Sequence, residues 1–310
     1  MTPAIELIHI DKRFGAVHAN VDVSLSIAQG SIHGIIGENG AGKSTLMSIL
    51  FGFYHADKGE IKVRGIPVKI RSSTDAISHG IGMVHQHFML VEPFTVLENV
   101  ILGAEGGMLI GPALAKARAE LKRLADEYEL DVDPDAKIID LPVGLQQRVE
   151  ILKALYKGAD VLILDEPTGV LTPAEADHLF RILKTLRDQG KTVIFITHKL
   201  REIMAITDQV SVMRRGQLVA NFETTKTSVG ELAEAMVGRS VLLRVDKTPA
   251  KPGEVILDVK NLTWRDKKNI ARVDNVSFQV RKGEIVGIAG VSGNGQSELL
   301  DVITGITKAT

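Results

Sequence analysis

Residues 37 to 45 read Gly-Glu-Asn-Gly-Ala-Gly-Lys-Ser-Thr, a set of residue types suited to holding a polyphosphate. Glycines 37, 40 and 42 let the backbone wrap an anion with its N–H groups, where a Cβ would obstruct the approach. Lys43 can reach the β- and γ-phosphates, and the Ser44 hydroxyl can hold Mg²⁺. Glu38, Asn39, Ala41 and Thr45 complete the loop as candidate nucleotide contacts. The chemistry implied is the binding of a nucleoside triphosphate with Mg²⁺. Further along, Val161-Leu-Ile-Leu runs into Asp165-Glu166. An acidic pair suits a turn or a helix start, but with a phosphate loop upstream it reads as machinery. Asp165 would orient a metal-bound water, and Glu166 would polarise the water that attacks the γ-phosphate. His198 closes another apolar run, Thr192 to Ile196. A solitary histidine is more often structural, yet at a strand end it can hydrogen-bond a γ-phosphate and sense its loss. Gln86 follows Ile81-Gly-Met-Val84 and can coordinate Mg²⁺ or the attacking water without adding charge. Its neighbours His85 and His87 share a face if they lie on a strand. With no third ligand nearby, the sequence does not support a zinc site there.

The elements that must position these groups are also readable. Ile32 to Ile36 is predicted as a buried strand and Leu46 to Phe51 as the helix that presents its positive end to the anion. Short apolar runs bounded by polar residues read as parallel strands covered on both faces. In such open α/β sheets ligands collect at the carboxyl ends of the strands. Between Thr95 and Lys157 the period turns helical, with Leu114, Ala117, Leu121, Leu124 and Tyr128 on one face. Leu141 to Leu145 is predicted as a loop leading into a helix from Gln146 to Leu155. That loop, set before a helix N-terminus, suits a second phosphate contact presented to a partner domain.

The 310 residues carry a formal net charge of −1 and no cysteine. The near-zero charge gives no general pull toward nucleic acid, and a disulfide framework or thiolate metal site cannot form. No run approaches the roughly 20 apolar residues of a membrane span, and the N-terminus has no secretory-signal pattern.

The chain repeats itself. Val23-Ser-Leu-Ser-Ile27, Gly30, Gly37 and Ser44 recur as Val276-Ser-Phe-Gln-Val280, Gly283, Gly290 and Ser297, each 253 residues later (297 − 44 = 253). Such self-similarity indicates duplication of a whole domain. Inside the second loop Gln296 stands where Lys43 does, so the cation is lost. The expected organisation is a complete domain at 1–238, a linker at 239–253 rich in turn formers, and the beginning of a second domain at 254–310. The sequence reads as truncated there, since counterparts of residues 58 to 238 are absent from it.

Together these segments resemble the nucleotide-binding subunit of ATP-binding cassette (ABC) transporters, six motifs occurring in the family's order. Phe14 sits where the family's adenine-stacking aromatic lies. Gly37 to Thr45 matches the Walker A loop, Gln86 the Q-loop, and Leu141 to Gln147 the signature. Asp165-Glu166 ends Walker B, and His198 matches the switch histidine. The resemblance implies an α/β P-loop NTPase fold with a parallel-sheet core, an antiparallel β subdomain and a helical subdomain. It also implies an ATPase, converting ATP and water to ADP and phosphate, on the cytoplasmic face of the cell membrane. The implied partners are integral membrane permease subunits, a second cassette and, indirectly, an extracytoplasmic solute-binding protein. Tandem cassettes with a cation-free second Walker A look like importers of simple sugars and nucleosides, and the wording around residues 141–155 and 196–204 is closer to the nucleoside type. A rival class, soluble cassette proteins acting on ribosomes or DNA, fits less well with a short linker and no cysteine.

Two departures from the family pattern stand out. Leu-Pro-Val-Gly-Leu replaces Leu-Ser-Gly-Gly-Gln at residues 141–145, and Gly169-Val-Leu-Thr172 replaces Ser-Ala-Leu-Asp. In the family each ATP lies between one cassette's Walker A and the other's signature. The site combining Gln296 with Pro142 would then be weakened from both sides, giving an asymmetric pair. Lacking a second signature, the chain alone is expected to bind MgATP and hydrolyse it poorly.

Overall fold

The computed structural model of the chain describes residues 2–86, 88–103, 110–239, 249–291 and 293–308. Two compact units emerge, Met1–Leu243 and Arg244–Thr310. The first opens with β1 (Ile5–Phe14), β2 (Val17–Ile27), β3 (Ile32–Ile36), α1 (Lys43–Leu50), β4 (Lys58–Val63), β5 (Ile66–Val68), α2 (Ser73–Ser78) and β6 (Ile81–Val84). Helices α3 (Val96–Ile101), α4 (Ile110–Tyr128) and α5 (Val143–Tyr156) follow. The unit continues through β7 (Val161–Asp165), α6 (Pro173–Asp188), β8 (Thr192–Ile196), α7 (Leu200–Ile206), β9 (Gln209–Arg214), β10 (Gln217–Glu223) and α8 (Val229–Val237).

The central sheet has the order β10-β9-β3-β8-β7-β6. Pairings among β6, β7, β8, β3 and β9 are parallel, and β10 closes one edge antiparallel to β9. Every residue of β3, β6, β7 and β8 is buried, which explains why these strands read as unbroken apolar runs rather than alternating ones. The strand period still sorts them. Ile32, Ile36, Leu162, Leu164, Val193 and Phe195 join one core, while Ile35, Ile163, Ile194 and Ile196 join the other, because successive side chains point to opposite faces. The first core is shared with α3, α4, α5 and α6; the second with α1 and the antiparallel sheet β2-β1-β4-β5. Truncating Phe195, fully buried between these layers, to alanine would cost about 3–5 kcal/mol. The expected α/β architecture, with a parallel core, an antiparallel layer and a helical region, is the one observed.

The registers Ile32↔Val193, Asp165↔Ile196 and Val84↔Leu164 align the carboxyl ends of β3, β8, β7 and β6 on one edge. Every polar segment singled out above except the signature region leaves the sheet there.

Two helices start earlier than the sequence predicts. α1 begins at Lys43 rather than Leu46, and α5 at Val143 rather than Gln146. Polar and small residues in a first turn hide the helical period. Pro142 enters α5 as its N-cap with φ −55°, and its carbonyl accepts from Leu145 N–H (2.9 Å) and Gln146 N–H (3.1 Å). A proline suits this place because no backbone N–H is needed from it. So Val143, Gly144 and Leu145 form a helical turn, not the predicted loop.

The second unit holds the antiparallel hairpin β11 (Val255–Arg265) and β12 (Ala271–Arg281), then α9 (Gln296–Ile303). It repeats local details of the first. His9 and Asp22 have φ of 52° and 50°, and Asn261 and Asn275 have 49° and 53°. His9 N–H donates to Ser24 Oγ (3.0 Å), as Asn261 N–H does to Ser277 Oγ (2.8 Å). Of the expected linker, 240–248 lie outside the described residues, and 249–253 form no helix or strand.

Candidate functional site

The loop after β3 closes into α1 through Gly42, which adopts φ 96° as the helix N-cap. A Cβ there would run into the Ala19 carbonyl oxygen of β2, so both angle and space require glycine. No side chain caps α1, and its first turn holds no acid. Its leading amides are therefore suited to an anion. They border a hollow of about 720 Å³, lined by residues 39–45 together with Phe14, His18, Gln86, Glu166, His198 and Arg215. That volume lies in the range of small-molecule sites.

Lys43 is 6% exposed and donates from Nζ to the carbonyls of Gly37 (2.7 Å) and Glu38 (3.1 Å). Burial draws its pKa below the ordinary lysine range, and the nearby Glu166 and Asp165 carboxylates oppose that pull. Gly37 and Glu38 thus act through their carbonyls on Lys43 and do not line the hollow. Asp165, at the end of β7, accepts a hydrogen bond from Ser44, while burial raises its pKa. Its buried Oδ1 has no hydrogen-bond partner. An orphaned carboxylate oxygen beside a serine hydroxyl fits a cation. Among the described residues no group of three or more His, Cys, Asp or Glu could hold a metal. Mg²⁺ fits this sparse set, since it is commonly held by one or two carboxylates, waters and substrate phosphates.

Glu166 follows with φ 49°, a left-handed conformation uncommon for a residue with a side chain. Its N–H donates to Ile196 O (2.9 Å), which locks the turn onto β8. The carboxylate, 14% exposed, lies 2.9 Å from Nδ1 of His198. The two residues come from different strands, 32 positions apart. Gln86 is exposed and faces the same hollow. At the far end Phe14 is exposed, edge-on to Tyr54 at 5.0 Å, with Lys12 Nζ 5.2 Å from its ring centre.

The structure therefore brings Phe14, Asn39 to Thr45, Gln86, Glu166 and His198 to one hollow, with Asp165 behind Ser44. Val143 to Leu145 lie elsewhere, at the start of α5. Gln147 of that helix is buried and donates to the Pro167 carbonyl (2.8 Å) behind Glu166. His85 packs against Phe51 and Phe53; His87 lies outside the described residues. Sequence reasoning missed His18 and Arg215. His18, on β2, is held by Asp11 at 2.5 Å. Arg215 sits in the β9–β10 turn, where Gly216 N–H donates to Ala41 O (3.1 Å). The only local signal was the turn-forming Arg-Gly pair at 215–216; nothing in the sequence brings β2 or this turn to the loop.

A sequence profile described as ABC transporter matches residues 21–169 and 273–310. The chain is 51% identical over 304 residues to the nucleoside import ATP-binding protein NupA of Lactococcus lactis subsp. cremoris, covering 98% of this chain and 60% of that protein. It is 47% identical to the glucose import ATP-binding protein TsgD13 of Haloferax volcanii, again 98% of this chain and 60% of the relative. The chain thus spans about three fifths of the length of these curated relatives. Among solved structures it is similar to the ADP conformation of MJ1267, an ATP-binding cassette of an ABC transporter. There the TM-score is 0.66 and the identity 26%, covering 77% of this chain and all of that one.

Proposed function

We propose, since this chain belongs to the ABC transporter family, that it binds and hydrolyses ATP to drive import of a small solute, a nucleoside, through a membrane permease. The observation carrying this reading is the convergence of Lys43, Ser44, Glu166 and His198 from separate strand ends on one hollow. The similarity to a nucleoside import protein supports the solute class. A sugar is the second reading, favoured by the glucose import relative.

In this mechanism Phe14 stacks on the adenine, while the amides of residues 39–45 and Lys43 hold the phosphates. Ser44, Asp165 and Gln86 would hold Mg²⁺. When bound, the ion neutralises charge on the β- and γ-oxygens. Glu166 accepts the proton of the attacking water, and His198 orients that carboxylate and hydrogen-bonds the γ-phosphate. Binding that favours a closed pair of cassettes shifts the population toward that state, and the permease reads the shift. The second cassette contributes Gln296 in place of a cation, so hydrolysis belongs to the Lys43 site. A solute-binding protein outside the membrane delivers the cargo, and this subunit lies peripherally on the cytoplasmic face. Among the described residues no helix is long and apolar enough to cross a membrane.

The test is uptake of labelled nucleosides and labelled glucose in cells carrying or lacking the coding region. Loss of nucleoside uptake alone supports the reading. Loss of glucose uptake alone transfers it to sugars, and unchanged uptake of both contradicts the import role.

A further inference from the structure

Glu166 and His198 meet at 2.9 Å, each on the turn that follows its strand. Behind them lies a buried polar cluster that the proposed chemistry does not use. Thr168 and Thr197, 2% and 0% exposed, flank the two turns. Both converge on Glu202 of α7, whose side chain is 13% exposed. Thr168 Oγ1 donates to the Glu202 carboxylate at 2.8 Å from either oxygen. Thr197 Oγ1 donates to Oε2 at 3.2 Å and accepts from Lys199 N–H at 3.1 Å. Lys199 Nζ lies 3.2 Å from Glu202 Oε1 and donates to Thr168 O (3.0 Å) and Thr168 Oγ1 (3.2 Å).

The donors and acceptors balance. Each hydroxyl has a single proton and gives it to the carboxylate. Each hydroxyl oxygen is then free to accept from Lys199, one from the backbone and one from the ammonium. The cluster closes only with an ionised acid at 202 and hydroxyls at both 168 and 197. Since Thr168 is two residues from Glu166 and Thr197 adjoins His198, the cluster joins the turn after β7 to the turn after β8.

We propose that Glu202 is a positioning residue which, through Thr168 and Thr197, sets the Glu166 carboxylate against the His198 ring. Gln147 holds the other side of the same turn at Pro167, so the left-handed Glu166 is clamped on both flanks. The inference rests on the ATPase reading only for its consequence on rate; the alignment itself belongs to the unliganded chain.

The experiment uses the full chain with ¹⁵N-labelled histidine, the His198 signal being assigned by its loss in His198→Gln. Thr168→Val removes the latch hydroxyl at nearly constant shape, and Thr168→Ser keeps it. Thr168→Val is expected to move the His198 ring signals while those of the distant His79 stay in place, and Thr168→Ser to restore them. Single-turnover hydrolysis of bound MgATP should fall at least about tenfold in Thr168→Val, with affinity changed less than about threefold, and recover in Thr168→Ser. Glu202→Gln should reproduce the valine phenotype. His198 signals unmoved in a folded Thr168→Val chain, or a serine variant as impaired as the valine one, would overturn the proposal. A folded wild-type chain that binds no MgATP would overturn the ATPase reading, while the ring signals still decide the latch.

Discussion

Residues 32–50 and 285–303 are the same motif written twice, 253 positions apart, and they fold to different extents. The helices agree residue for residue, Lys43–Leu50 against Gln296–Ile303. The glycine caps agree too, Gly42 at φ 96° and Gly295 at 88°. In each, a Cβ would strike the carbonyl of an equivalent residue, Ala19 or Arg272. Even the side chain that follows behaves alike, Lys43 reaching Glu38 O and Gln296 reaching Val291 O at 3.2 Å. The strands do not agree. Ile32 to Ile36 are buried between β8 and β9, whereas residues 285–289 form no strand, and Ile285 is 94% exposed. The loop and its helix are local structures, set by glycine conformation and capping. A parallel strand exists only when neighbours satisfy its backbone.

The largest expected difference between the copies is chemical. Glu166→Gln should lower ATP turnover by about 10²- to 10⁴-fold while leaving MgATP binding intact, because it removes the proposed base and not the proposed cradle. Rapid-quench hydrolysis beside equilibrium binding would measure both. Turnover within a few-fold of wild type would mean that another group activates the water.

Next comes protection of the backbone. Amides of residues 32–36 should exchange only through large-scale unfolding of the first unit, whereas those of 285–289 should exchange near the unprotected rate. Hydrogen exchange read by mass spectrometry on peptides from the two segments would show it. Equal protection would mean that 285–289 finds a sheet partner.

A smaller effect follows from one exchange inside the motif. Val286 stands where β3 carries His33, which is buried and pushed down to about 4 by loss of solvation. Its Nε2–H donates to Ser211 Oγ at 2.7 Å, while Nδ1 is buried with no partner. Protonation would add a buried N–H with nothing to accept it. Since the folded-state pKa lies below the unfolded one, the stabilisation is complete above about pH 6.5 and fades as pH falls toward 4. The loss amounts to about 3 kcal/mol over that window. Urea unfolding from pH 7 to 4 should show this fall in wild type and a shallower one in His33→Asn. Parallel curves would remove His33 from the acid response.

What was legible in the sequence follows the same division. Gly37 to Thr45, Asp165, Glu166, Gln86 and His198 could be placed because each immediately follows or closely trails an apolar run, and parallel strands deliver their ends to one edge. The limits of α1 and α5 were misjudged because Lys43-Ser44-Thr45 and Val143-Gly144-Leu145 carry no apolar period, although their caps already permit a helix. His18 and Glu202 were not legible, and Arg215 showed only as part of a turn-forming Arg-Gly pair. They reach the site from β2, the β9–β10 turn and α7, through pairings that depend on the whole fold.

The central claim is that the intact loop, and not its copy, holds the nucleotide through Lys43. Calorimetric titration of the folded chain with MgATP, run beside Lys43→Ala and Gln296→Lys, tests it most directly. The account predicts one ATP per chain in the wild type, loss of that binding in Lys43→Ala, and no second equivalent in Gln296→Lys. Undiminished uptake by Lys43→Ala, or no heat from the wild-type chain, would contradict it.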